Sequence, residues 1–62
     1  MSEDRKAVAT RERDRYAIEA ADARSHLRGR MGAAVRADLV ARMDECERQR
    51  DRWQAELDRL GQ

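Results

Sequence analysis

The side chains best equipped for chemistry in this 62-residue chain are one cysteine, Cys46, one histidine, His26, and thirteen arginines beside a single lysine. A thiol beside an imidazole is the arrangement of nucleophilic catalysis, and Cys with His ligates zinc. Here the two lie twenty positions apart, and no second Cys or His completes a ligand set or a disulfide. Asp22 stands four residues before His26, which on a helix makes a surface pair. Cys46 reads as a small buried hydrophobe. The sequence therefore predicts no catalytic residue, no metal and no cofactor, and the chain is expected not to be an enzyme.

The arginines carry more information. Arg24, Arg28, Arg30, Arg36 and Arg42 face only Asp38 within their own tract, a local charge of +4 in a chain whose formal net charge is +1. Clustered guanidinium groups hold phosphate backbones with steep salt dependence, or dock an acidic protein surface. The tract has no aromatic residue on which a base would stack. Such an excess of Arg over Lys also follows from a GC-rich coding bias, which would place Arg on any solvated face. Solvated surface therefore ranks first, an acidic protein partner second, and nucleic acid third. Gly29-Arg30-Met31-Gly32 has the GxxG spacing of KH loops. The chain shows neither period-two alternation nor Val, Ile or Thr clusters, so a KH fold is excluded.

These residues must sit on helices. The chain has no proline, and its glycines are Gly29, Gly32 and Gly61, so the one internal break falls at 29–32. Both arms are rich in Ala, Arg, Glu and Leu, the strongest helix formers. Helices are predicted over about 3–28 and 33–60. Ser2 with Glu3 and Asp4 reads as an N-terminal cap, and Leu60-Gly61 as a C-terminal stop. In the second arm Leu39, Met43, Cys46, Arg50, Trp53, Leu57 and Leu60 step by 4 and 3, the seam of a coiled coil. The first arm repeats the rhythm with smaller residues, Ala9, Arg13, Tyr16, Ala20, Ala23 and Leu27. Folded back about residues 30 and 31, the arms set Ala9 near Trp53, Tyr16 near Cys46, Ala20 near Met43, Ala23 near Leu39 and Leu27 near Val35. Small residues then meet large ones, as close packing requires. Arg13 and Arg50 interrupt the seam almost level with one another and call for the neighbouring carboxylates Glu12, Asp14, Glu47 and Asp51, or for the rim. Asp38–Arg42, Asp44–Arg48 and Arg52–Glu56 have the i, i+4 spacing of surface pairs. The competing architecture, one continuous helix of about 85 Å, is disfavoured by a slip in the seam register at the glycines.

Of the apolar residues 11 are alanine, so one hairpin has a thin core. Chains this short usually need a disulfide, a metal or a partner chain. The fold class predicted is all-α, a two-helix antiparallel hairpin dimerising into a four-helix bundle, with Tyr16, Leu27, Leu39, Met43, Cys46, Trp53, Leu57 and Leu60 as the oligomer seam. Trp53 is expected to anchor the core rather than a partner. No apolar run approaches the ~18 residues of a membrane span, the first residues lack the order of a secretory signal, and a lone Cys suits the reducing cytoplasm. The expected function is that of a homodimeric protein-interaction module, an adaptor, regulator or inhibitor with an unidentified and acidic protein partner. Small phage and bacterial accessory factors share this build, an analogy at the level of the fold alone. A nucleic-acid-binding dimer using the arginine turn is the first alternative, and a purely structural oligomerisation segment the second.

Overall fold

The computed structural model describes residues 2–61, and the expected Ser2 cap with Glu3 rests on side chains outside that description. Two helices make up the chain: α1, Ser2–His26, and α2, Ala33–Leu60. They pack against each other as an antiparallel hairpin 47 Å long and 13 Å across. At 1.5 Å per residue the 28 residues of α2 account for about 42 Å of that length. The single long helix is thereby excluded.

The turn begins two residues earlier than the glycine spacing suggests. Leu27 N–H still donates to Ala23 O at 3.1 Å, but Arg28 N–H reaches Ser25 O at 3.2 Å and Gly29 N–H reaches His26 O at 3.1 Å. These i, i−3 bonds tighten the end of α1 into 3₁₀-like winding. Residues 30–32 then make the crossing. Neither Gly32 (φ −66°, ψ 159°) nor Gly61 (φ −77°, ψ −12°) adopts the left-handed conformation usual for a glycine stop. Gly32 is the extended residue before α2, its carbonyl accepting from Arg36 N–H at 3.0 Å. Gly61 stays right-handed and donates its N–H to Leu57 O at 2.9 Å.

The helices meet through alanine. Ala9 is 0%, Ala20 3%, Ala23 3% and Cys46 5% exposed, and no large side chain is fully buried among the described residues. All the larger seam residues, Tyr16, Leu27, Leu39, Met43, Trp53, Leu57 and Leu60, are only half-buried. Small residues on α1 let the backbones approach, so the bulkier α2 residues lie over and beside α1 rather than between the helices. The buried residues of α1 are small, Ala9, Ala20 and Ala23, and the larger seam residues of α2 are half-buried. Val8 and Trp53 line one cleft and Ala23 and Leu39 another, close to expectation. Cys46, by contrast, lies at Glu19 instead of Tyr16, and Arg13 reaches Gln54 instead of lying level with Arg50. Those two contacts are made by long side chains reaching along the seam, whereas Val8 with Trp53 and Arg5 with Glu56 keep the level of the fold-back.

Candidate interaction surface

The two arginines in the seam are held by the carboxylates that follow them in sequence. Arg13 Nη2 lies 2.7 Å from Asp14 Oδ1 and its Nη1 donates to Gln54 Oε1 at 3.0 Å. Arg50 Nη2 lies 2.9 Å from Asp51 Oδ1. Each guanidinium lies half-buried, its stem along the seam. The i, i+4 pairs divide. His26 Nδ1 is 3.6 Å from Asp22 Oδ2, as the spacing implies. Arg48 instead takes Glu45 at 2.7 Å, and Glu56 takes Arg59 and, at 4.0 Å across the helices, Arg5. The Gln49 amide and then Arg48 hold the Glu45 carboxyl below the usual carboxylate range. No ion pair joins Asp38 to Arg42, Asp44 to Arg48 or Arg52 to Glu56 in the described residues.

The five arginines near the turn are all exposed and differ in their partners. Arg24 Nη2 is drawn across to Glu47 Oε2 at 2.7 Å. Arg36 Nη2 donates to Leu27 O at 3.0 Å, tying the turn to α2. Arg42 lines a cleft with Glu19, Asp22, Ala23, His26 and Leu39. Arg28 and Arg30 stay exposed without an ion pair among the described residues.

The two sides of the hairpin differ. On one side Arg13–Gln54 and Arg24–Glu47 bridge the helices. On the other, two clefts open between them. Near the chain ends Asp4, Arg5, Val8, Arg52, Trp53 and Glu56 enclose about 610 Å³, and near the turn the Arg42 cleft encloses about 310 Å³. Helix rotation accounts for the division. At 100° per residue Val8, Glu19 and His26 fall in line on α1, as Arg42 and Trp53 do on α2, while Arg13 with Arg24 and Glu47 with Gln54 form the opposite rows. Along the open side Arg15 lies 3.5 Å from both Glu12 and Glu19, with its guanidinium 5.3 Å from the Tyr16 ring centre. Val8, which lines the chain-end cleft where the seam rhythm set Ala9 near Trp53, was missed, although the fold-back about residues 30 and 31 sets it level with Trp53. Gln54 and Glu19 carried no such signal, because neither is apolar nor on the seam.

Cys46 is a free thiol whose S–H donates to Glu19 Oε2 at 3.6 Å. Burial first, then the hydrogen bond and negative charge of Glu19, push the thiol above its usual range. Folding therefore favours the protonated thiol. Its contribution to stability is complete below the unfolded-chain pKa and is lost as pH rises through the higher folded-state value. At pH 8 iodoacetamide is expected to alkylate the folded chain roughly ten-fold or more slowly than the chain in denaturant. Equal rates would show the thiol to be open.

No group of three or more His, Cys, Asp or Glu side chains is arranged to hold a metal ion among the described residues, and no helix there is long and apolar enough to cross a membrane. The chain matches no protein-family profile, no curated protein and no solved structure.

Proposed function

We propose that this chain is a non-enzymatic protein-interaction module, an adaptor, regulator or inhibitor, that works as a homodimeric helical bundle in the reducing cytoplasm. One observation carries the reading: among the described residues the buried ones are three alanines and one cysteine, while Val8 is 44%, Ile18 68%, Val35 55% and Val40 37% exposed. A hairpin of this build leaves four large apolar side chains exposed and its larger seam residues only half-buried. Burial is worth about 25 cal/mol per Å² of apolar surface, so another macromolecular surface over these residues supplies the stability that the hairpin alone lacks. Arg28 and Arg30, unpaired among the described residues, suit an acidic segment of the protein partner.

The test is mass by light scattering together with helicity by circular dichroism, at about 0.15 M and about 0.5 M salt. A helical species near twice 7.2 kDa at both salts is the expected result. A monomer at all concentrations would overturn the homodimer. Retention on duplex DNA that falls steeply with salt and disappears in Arg28→Ala with Arg30→Ala would replace the protein partner with nucleic acid.

A further inference from the structure

Granting that the chain self-associates as proposed above, we infer that the second copy docks on the open side, over the Val8–Trp53 cleft, with the two-fold axis running along the bundle so that both turns emerge at the same end. The side is chosen by what fills it. Both sides carry charge: Arg13–Gln54 and Arg24–Glu47 span the opposite side, and Asp4, Arg5, Arg52 and Glu56 with Glu19, Asp22 and Arg42 line the open one, so the charges on the buried side need partners from the second copy. What the open side adds is the chain's one Trp: it presents Trp53 with Val8 at one end and Leu39 at the other, among charged groups of both signs.

Charge and shape choose the axis. With the two-fold along the bundle, α1 lies beside the second copy's α2 at the level it already has beside its own α2. That arrangement repeats between chains the juxtapositions present within one: Arg5 near Glu56 at 4.0 Å, and Glu19 and Asp22 across a cleft from Arg42. It also stacks like on like, bringing Val8 and Trp53 of the two copies into one layer at the end of the bundle. An axis across the bundle reverses one hairpin. Val8 and Trp53 would then lie on the second copy's turn-end cleft, where four of the six lining side chains, Glu19, Asp22, His26 and Arg42, are charged or titratable, so apolar groups would cover polar ones.

Arg30 is exposed in the turn, and a nitroxide attached through Arg30→Cys reports the arrangement, since buried Cys46 reacts slowly. Double electron–electron resonance on the dimer is expected to give a separation of about 25 Å or less, twice the 13 Å width of a hairpin. A separation near the 47 Å length would overturn the same-end arrangement while leaving the homodimer standing, whereas a monomeric scattering mass would overturn both. The face is tested by two exposed valines on opposite sides. Val8→Asp is expected to weaken dimerisation roughly a hundred-fold and Val40→Asp by less than about three-fold. The reverse order would overturn the open side as the docking face.

Discussion

Trp53→Ala is expected to be the most damaging single truncation, lowering the melting temperature at fixed protein concentration by roughly 10–20 °C. Trp53 is the larger of only two aromatic residues, sits half-buried on the α2 seam, and lines the cleft assigned to the second copy. Truncating a buried Trp to Ala typically costs about 3–5 kcal/mol. In this chain that loss is split between the hairpin seam and the dimer layer. Each kcal/mol shifts the melting point of a domain this small by about 4–8 °C, and about 3 kcal/mol weakens dimerisation roughly a hundred-fold. Melting followed by circular dichroism, with scattering mass across a dilution series, separates the two parts. Trp53→Phe should retain most of the stability. If Trp53→Ala melts within a few degrees of the parent chain, Trp53 packs against nothing and the interaction reading loses its anchor.

The second large effect comes from enlarging the smallest residues. Ala9→Leu with Ala20→Leu is expected to destabilise the hairpin by about 2–6 kcal/mol, although Leu and Ala are both strong helix formers. Ala9 and Ala20 are 0% and 3% exposed, at the closest approach of the two helices. Each added isobutyl group has to push α2 away or leave its rotamer, at about 1–3 kcal/mol. The two sites are about 16 Å apart along α1, so their effects should add. Ala21→Leu is the matched control, since Ala21 is exposed on the same helix, and it should change stability by less than about 0.5 kcal/mol. Denaturant midpoints read the difference. Equal midpoints for the control and the double variant would show that the alanine contact does not hold the hairpin.

Much of the fold is legible in the residues because it depends on local rules. With no proline and a composition of Ala, Arg, Glu and Leu, helix is the lowest-cost backbone everywhere except near the glycines. The 4, 3 spacing from Leu39 to Leu60 marks one face, and helix geometry turns Asp22 and His26 into neighbours. Arg13 and Arg50 find Asp14 and Asp51 because those carboxylates are adjacent in the chain. Even the meeting of small and large residues across the hairpin follows from the pattern.

What tertiary structure alone decided begins with the partners of the remaining charges. Arg24 takes Glu47, Glu56 takes Arg5 and Arg59, and Arg48 takes Glu45 rather than Asp44. Exposed pairs of this kind are worth about 0–1 kcal/mol each, so they follow the helix positions and do not set them. Those positions are set by the approach of Ala9, Ala20 and Ala23 to α2 and by the crossing at residues 30–32. Alanine contacts are nearly featureless, so a seam built on them tolerates several offsets, and the crossing selects one of them. That offset, with the rotation of each helix about its axis, bridges one side of the hairpin with Arg13–Gln54 and Arg24–Glu47 and leaves Val8 and Trp53 open on the other. No local rule in a single helix contains this information, because it exists only once two helices have a fixed rotation and register relative to each other.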